Sequence, residues 1–509
     1  MKKHSLAAVA LLVVLSLLLA IPAFAEVGVA FDGAIEKDGI ETPEGAGALD
    51  GLAQLDLDGA ALVSDDPAAN AAANAAVVKI NKANFPAADF RKYVKANFDA
   101  DGDGALSQAE ADGVTEIILR TVDQAALNEN EVNCANLKGI EYFRNLRYLE
   151  AVDCGLTSLD LSKNTQLEEL TLFDNKLKKL DVRKLTGLIN LKCSRNRLQS
   201  LDLSKNTALE YLFCSGNKLT ALDVSKNKKL KELHCHMNQL TKLDASKNVA
   251  LEVLECEENK LKALNVTKSR KLEWLYCDQN RLTALDVSNN TKLVELWCYS
   301  NRIKKLDVSN NKTLTTLACF ENPLKTLNVR KNTALVSLYC QSNQLKTLDV
   351  SKNTKLVNLQ CFDNQLTKVD VSKNTRLEWL SCGDNPLKGL DIRKNTALTG
   401  LSCINGGLTK LDVSKNKKLE RLYVRDNALT SIDLSANKKL SILVISGNKI
   451  KSIDIGSCPG VQEAMKLKKK TTKKTVEWYT EEEWGIDPHL LIDRSTTLTA
   501  GDKVLYPGK

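Results

Sequence analysis

The chain has 509 residues, of which 26% are charged and only 5% aromatic, and its formal net charge is +8. That length allows several compact domains, but one repeat of 21 residues occupies most of the chain and predicts a single elongated array instead. The positive charge does not favour nucleic-acid binding, because lysines recur evenly (Lys163, Lys184, Lys205) beside equally recurrent acids (Asp160, Asp181), as on a solvated face.

Residues 1–25 are predicted to be a signal peptide. Lys2 and Lys3 form the charged start, an apolar run extends from Leu6 to Ala20, and Ala23-Phe24-Ala25 is a small-x-small cleavage site. A retained membrane anchor is the alternative, but the apolar run is short for a span. We therefore expect a secreted or extracellular mature chain without a membrane span.

Residues 26–80 are predicted to be a flexible acidic spacer. The segment is rich in Ala, Gly, Asp and Glu and has few large apolar residues. Such a composition cannot bury enough surface to offset the entropy lost on ordering.

Residues 81–131 are predicted to form a small helical cap. Apolar residues recur at helical spacing from Phe85 to Phe98, and Pro86 suits a first turn. The following residues 99–110 read Asp-Ala-Asp-Gly-Asp-Gly-Ala-Leu-Ser-Gln-Ala-Glu and resemble the calcium loop of EF-hand proteins. The resemblance implies oxygen ligands from Asp99, Asp101, Asp103, Ala105, Ser107 and Glu110.

EF-hand loops usually occur in pairs, and the sequence contains no second loop. We therefore expect one weakly bound, structural Ca²⁺ as the only cofactor. The alternative is an acidic turn that binds no ion.

Residues 132–460 repeat the frame L-x-x-L-x-[LC]-x-x-N-x-L without insertion or deletion. The frame resembles the leucine-rich repeat family, and a second, nested copy in each turn resembles the short repeats of exported bacterial members. The resemblance implies a strand-dominated solenoid, a right-handed superhelix of about 15 turns, with no helix on the outer side. An atypical first turn from Val132 fits a terminal repeat that shields the core.

Two other sets of residues recur at one position of the repeat, and we call each set a column. Both columns are predicted to be structural. The asparagine column that includes Asn175 and Asn217 should satisfy backbone groups at each bend, and Gly406 interrupts it, which predicts a local irregularity. The cysteine column from Cys193 to Cys403 continues as Val424 and Ile445, which predicts buried free thiols. Disulfides and metal or redox chemistry are the alternatives.

The outward positions on one side of the coil vary from turn to turn, whereas the other side repeats Asp, Ser and Lys. An aromatic and acidic stripe of this kind is typical of a binding surface, and cross-strand stacking is the alternative explanation. Its predicted ligand-binding residues are Tyr211, Phe213, Glu255, Glu257, Trp274, Tyr276, Asp278, Trp297, Tyr299, Phe320, Tyr339, Phe362 and Trp379. His234 and His236 also point outward beside Glu255 and Glu257, so the choice between solvated histidines and a Zn²⁺ site stays open.

Residues 461–509 are predicted to form a β C-terminal cap, a hairpin with strands near Trp478 and Leu490. A small separate binding domain is the alternative.

The sequence thus predicts a non-enzymatic extracellular binding or adaptor scaffold. We expect a monomer that recognises a protein partner, with a glycan-binding adhesin as the alternative function. No Ser/His/Asp set, phosphate loop or glycine-rich nucleotide fingerprint supports an enzyme.

Overall fold

The computed structural model describes residues 76–120, 135–482 and 485–508. The predicted signal peptide, most of the predicted spacer and the predicted boundary near residue 131 lie outside these ranges. Within them, every helix is too short or too polar to cross a membrane.

The N-terminal segment combines strand β1 (Ala76–Lys79), helix α1 (Ala88–Phe98), strand β2 (Ala105–Ser107), helix α2 (Gln108–Gly113) and strand β3 (Glu116–Arg120). Phe90 and Val94 lie one helical turn apart and are both buried on one side of α1. Strand β1 pairs antiparallel with β2. The spacer prediction is therefore wrong for the residues of β1, which the prediction placed before the cap.

From residue 148 the chain forms a solenoid. Its strands in chain order are β4 (Tyr148–Val152), β5 (Glu169–Thr171), β6 (Asn190–Lys192), β7 (Tyr211–Phe213), β8 (Glu232–His234), β9 (Leu243–Asp244), β10 (Val253–Glu255), β11 (Leu264–Asn265), β12 (Trp274–Tyr276), β13 (Glu295–Trp297), β14 (Thr316–Ala318), β15 (Ser337–Tyr339), β16 (Asn358–Gln360), β17 (Trp379–Ser381), β18 (Gly400–Ser402), β19 (Arg421–Tyr423) and β20 (Ile442–Val444). Strands β9 and β11 lie on the opposite side of the coil and pair with each other. The rest form one parallel sheet in strict register, which β3 extends at its first edge.

The predicted strand-dominated solenoid is confirmed, with about 14 turns between β4 and β20 rather than 15. The described chain has no helix between residues 148 and 455, so the prediction of no helix on the outer side also holds. A period of 21 residues is too short to include both a strand and a stable helix with their connections.

Leucines at the middle of each strand, such as Leu212 and Leu233, are fully buried and stack into the core. The cysteine column lies beside them, and all thirteen cysteines of the described residues are buried free thiols. Parallel strands in register lie about 4.8 Å apart, which exceeds the Cβ separation of about 3.8 Å in a disulfide. The prediction of free thiols is confirmed, and burial raises the pKa of Cys193 to about 12.

Asparagine side chains hold the bends on both sides of the coil. On the sheet side, Asn217 Oδ1 accepts the Leu198 amide of the previous turn at 2.9 Å, and Asn217 Nδ2 donates to the Cys193 carbonyl at 3.0 Å. On the opposite side, Asn227 Nδ2 donates to two carbonyls of the previous turn at 3.2 and 2.7 Å. Backbone amide and carbonyl groups buried at the bends therefore have hydrogen-bond partners, as the sequence predicts.

The irregularity predicted at Gly406 is present. In the other turns, the amide two residues after the column asparagine donates to the asparagine of the next turn. The Leu387 amide instead donates to the Asn385 carbonyl of its own turn, at 2.8 Å. A Cβ at Gly406 would lie 2.4 Å from Cys403 Sγ, so no larger side chain fits there without a shift.

The side opposite the sheet has a repeated Asp-x-Ser turn. Asp223 Oδ1 accepts the Ser225 amide at 2.9 Å, and Asp202 accepts the Ser204 amide in the same way at 3.0 Å. These carboxylates fix local turns, which explains why the composition of this side hardly changes.

The C-terminal segment contains strand β21 (Ser452–Asp454), helix α3 (Pro459–Ala464), and strands β22 (Lys468–Thr471), β23 (Thr475–Glu482), β24 (Gly485–Asp493), β25 (Thr497–Ala500) and β26 (Lys503–Tyr506). The two predicted strands are present as β23 and β24. Strand β24 pairs in parallel with β20, and β25 pairs in parallel with β21. The segment therefore continues both sides of the last turn rather than adding one hairpin, and β24 covers the edge that β20 would otherwise leave open.

Candidate functional site

Three columns of side chains face away from the core on the sheet side, and we call them the variable face. They are the first residue of each strand, the third residue, and the residue after the cysteine position. In the first column lie Tyr211, Trp274 and Trp379; in the third-residue column Phe213, Glu255, Tyr276, Trp297 and Tyr339; after the cysteines Glu257, Asp278, Tyr299, Phe320 and Phe362. Strand register places all of these predicted binding residues on one side of the sheet.

Their exposure is lower than the sequence suggests. Most are half-buried, but Asp278 is only 2% exposed, and the rings of Phe320, Tyr339 and Trp379 are only 8%, 5% and 8% exposed. The Trp379 ring lies flat over Gly400 of the next strand, where a Cβ would lie 2.1 Å from the ring. The prediction of displayed rings is therefore wrong for these three, because neighbouring turns cover them.

The rings form separate groups along the variable face. Tyr299 stacks on Phe320 with centroids 4.2 Å apart and an interplanar angle of 7°. Tyr276 meets Trp297 edge to face at 5.6 Å. Trp379 lies apart from this central group and contacts Tyr423. Stacking between strands thus accounts for part of the aromatic stripe.

Histidine and carboxylate side chains adjoin the central rings. His234 Nδ1 lies 2.7 Å from Glu255 Oε2. His236 Nδ1 lies 3.3 Å from the same oxygen and 3.4 Å from Glu257 Oε1. The structure therefore brings together the four residues whose relation the sequence leaves open.

The ionisation of this group is uneven. Burial, followed by the charge of Asp278, raises the pKa of Glu257 to about 9. Burial also raises the pKa of Asp278 to about 7. Burial acts in the same direction on Glu255, but hydrogen bonds from His234 and His236 outweigh it and lower the pKa to about 2. Glu257 and Asp278 thus lie where a negative charge is costly, whereas the negative charge of the neighbouring Glu255 is stabilised by the two histidines.

In the N-terminal segment, the predicted calcium loop lies between α1 and α2. Carboxylate oxygens of Asp99, Asp101 and Asp103 lie within 4.8 Å of one another. Glu110 is positioned differently: its two oxygens accept the amides of Ala100 and Ser107, each at 2.7 Å. The positive φ angles of the two loop glycines, 75° and 81°, produce the sharp turn.

Sequence reasoning missed two features near these sites. Met237 follows His236 at a left-handed position (φ 52°) and is 46% exposed, so it adds an apolar group to the edge of the variable face. Strand β1 pairs with the loop strand β2, with the Ile80 amide donating to the Gly104 carbonyl at 2.9 Å. The residue before the column asparagine recurs at the same place in every repeat, so its left-handed conformation has a counterpart in the sequence pattern. The pairing of β1 with β2 has no such counterpart.

Comparison with solved structures gives matches along most of the chain. The functional domain of InlJ from Listeria monocytogenes, described as including a cysteine ladder, is 31% identical, with 80% of this chain and 86% of that chain covered and a TM-score of 0.65. A leucine-rich repeat protein of Leptospira interrogans is 24% identical (62% and 88% covered, TM-score 0.56). The internalin InlF of Listeria monocytogenes is 20% identical (72% and 96% covered, TM-score 0.51). At these identities, the Leptospira protein and InlF support the fold alone.

No protein-family model matches the chain, and a search of curated proteins finds no significant match.

Proposed function

The chain belongs to the same family of bacterial leucine-rich repeat proteins as InlJ, and on this basis we propose that it is a non-enzymatic extracellular scaffold that binds a protein partner. The partner contacts the variable face around Trp274, Tyr276 and Trp297. Leucine-rich repeat proteins generally bind protein partners, and the predicted signal peptide supports a place outside the cell.

One observation carries the proposal: side-chain variety is confined to the variable face. On the opposite side, carboxylates such as Asp223 are occupied in local turns. The variable face combines half-buried tryptophan and tyrosine side chains with carboxyl groups and, at its edge, the exposed Met237. Aromatic anchors surrounded by polar groups are the usual composition of a binding hot spot.

The ring geometry favours a protein over a glycan. Sugar rings bind to flat, open aromatic faces, but the Tyr299 and Phe320 rings cover one another. Trp274 and Trp297 are half-buried rather than fully displayed. Such a surface offers clefts between side chains, into which residues of a partner protein can insert.

Replacing Trp274 by alanine tests the proposal. Loss of a hot-spot tryptophan costs about 2 kcal/mol or more, so we expect roughly 30-fold weaker binding to a partner captured from whole cells. Lys226→Ala, on the opposite side of the coil, is the matched control and should bind as the wild type does. Circular dichroism and thermal melts check that both variants are folded.

A glycan array run in parallel separates the two functions. Binding to defined sugars that Trp274→Ala abolishes would support the adhesin alternative. Equal binding by Trp274→Ala and the wild type, to cells and to sugars, would overturn the variable face as the binding surface.

We further propose that residues 99–110 bind one Ca²⁺, which holds the N-terminal segment in shape. The three clustered aspartates and the turn at the two glycines support this. Pairing of β2 with β1 supplies the strand contact that a second loop provides in paired EF-hands. The buried Leu106 anchors the loop strand in the core at the same time.

Calcium titration of the full chain by calorimetry tests this second proposal. A lone loop of this type is expected to bind in the range of about 10⁻⁴ to 10⁻³ M. Asp101→Asn should weaken binding at least tenfold, whereas Asp112→Asn, outside the loop, should leave it unchanged. Equal calcium binding by both variants, or none by the wild type, would contradict the proposal.

A further inference from the structure

We propose that His236, Glu255 and Glu257 form a Zn²⁺ site on the variable face. The site is separate from the calcium loop and does not depend on the identity of any protein partner. It lies where strands β8 and β10 pair, one turn before the central rings.

The spacing of the ligand atoms carries the proposal. A tetrahedral zinc ion with bonds of about 2.0–2.1 Å requires ligand atoms about 3.3–3.4 Å apart. His236 Nδ1 lies 3.3 Å from Glu255 Oε2 and 3.4 Å from Glu257 Oε1. One ligand atom from each of the three residues lies within 4.8 Å of the other two, so two edges of the tetrahedron are already formed and the carboxylates are within reach of the third.

The cluster also contains a polar atom that the protein does not satisfy. Among the described residues, nothing hydrogen-bonds to the buried Glu257 Oε2. An ionised Glu257 carboxylate has too few partners in this half-buried position, and a bound cation would supply one. A divalent ion held by Glu255 Oε2 and Glu257 Oε1 would compensate the negative charge of the whole Glu257 carboxylate, including the Oε2 atom that has no donor.

Outer hydrogen bonds orient the ligands, as they do in known zinc sites. His234 Nδ1 lies 2.7 Å from Glu255 Oε2, and its other nitrogen lies 3.3 Å from Glu232 Oε2. His234 is therefore a positioning residue that fixes the Glu255 carboxylate. Ser215 Oγ lies 3.0 Å from His236 Nδ1 and borders the fourth coordination position, which is left to water or to a ligand atom.

The donor set selects the class of metal. One imidazole and two carboxylates suit Zn²⁺ and related first-row ions better than Ca²⁺, which requires six to eight oxygen atoms. The neighbouring thiols of the cysteine column are fully buried in the core, and they are not part of the site.

The test is a zinc titration of the purified full chain, with any histidine tag removed and about 10 mM Ca²⁺ present to load the predicted loop. Calorimetry and metal analysis should find one Zn²⁺ per chain. His236→Gln and Glu257→Gln should each weaken binding at least 100-fold, and His234→Gln about 10- to 100-fold. Glu258→Gln, which removes an exposed carboxylate one residue away, is the matched control and should bind as the wild type does.

Co²⁺ serves as a spectroscopic probe of the same site. We expect the visible bands of a tetrahedral ion without a thiolate charge-transfer band. The absence of tight zinc binding in the wild type would overturn the proposal and leave the cluster as histidine–carboxylate ion pairs. Zinc binding that His236→Gln and Glu257→Gln both retain, or a cobalt spectrum with thiolate ligation, would overturn it as well.

Discussion

The two sides of the coil share one backbone scheme and differ in what their side chains do. On both sides, a buried asparagine column bonds to the previous turn. The side opposite the sheet uses its carboxylates for its own turns, as Asp223 does. The variable face has no such repeated turn, and its rings and carboxyl groups contact side chains from neighbouring strands, such as Tyr299 and Phe320.

The residues that define the shape of the coil are therefore different from the residues that vary on its surface. Because the asparagines and leucines define the coil, the outward columns can change from turn to turn without altering the register. The protein concentrates those changes on the sheet side, where residues of adjacent turns lie only about 4.8 Å apart and can act together.

The largest expected effect on stability comes from removing the asparagine hydrogen bonds that hold the bends on both sides of the coil. Asn217→Ala removes the acceptor of the Leu198 amide and a donor to the Cys193 carbonyl, so buried backbone groups lose their partners. We expect a loss of about 3 kcal/mol in the free energy of unfolding, measured by urea denaturation. Asn227→Ala should cost less, because only its amide nitrogen is used.

Asn227→Ser serves as the control for this comparison. Serine occupies the equivalent place naturally at Ser269, where its hydroxyl donates to the Ala245 carbonyl at 3.2 Å. The serine variant should be more stable than Asn227→Ala. If all three variants unfold like the wild type, the asparagine columns do not hold the coil.

A smaller effect tests whether the variable face stabilises itself. A double-mutant cycle with Tyr299→Leu and Phe320→Leu should give a coupling energy of about 1 kcal/mol, because the two rings stack. The pair Tyr299→Leu and Phe213→Leu, several turns apart, should be additive. No coupling between the stacked rings would mean that the stripe contributes to binding alone.

The smallest effect belongs to the opposite side and depends on pH. Side-chain and backbone hydrogen bonds from Arg183 lower the pKa of Asp181 to about 2. A lowered folded-state pKa adds stability above the unfolded-state value of about 4, and this stability is lost as the pH falls through 2. Asp181→Asn should therefore melt slightly lower than the wild type at pH 6, and the gap should close near pH 2. A gap that stays constant would show that the charge of Asp181 does not contribute.

Much of the fold follows from the sequence pattern because the repeat is regular. The 21-residue phase predicts the parallel strands, the leucine core, the role of the asparagines and the disturbance at Gly406. The free thiols follow from the same register, which keeps equivalent cysteines too far apart to join. These properties depend on which residues occupy the same position of the 21-residue repeat, and that position can be read directly from the sequence.

The candidate sites are only partly visible in this way. The pattern identifies the side to which Phe320, Tyr339 and Trp379 point, but not that neighbouring strands cover them. Gly400 illustrates the cause: it belongs to the next turn, and its missing side chain lets the Trp379 ring lie flat. The pairing of β1 with the loop strand likewise joins segments with no common pattern.

The sequence by itself determined the coil, its period, and the division into a constant and a variable side. Only the tertiary structure decided how deeply each ring is covered, and that His236, Glu255 and Glu257 converge at distances suited to a metal ion. The reason is physical. Phase is a property of one chain read in order, whereas burial and ligand geometry depend on side-chain rotamers and on the volume of neighbours one turn away.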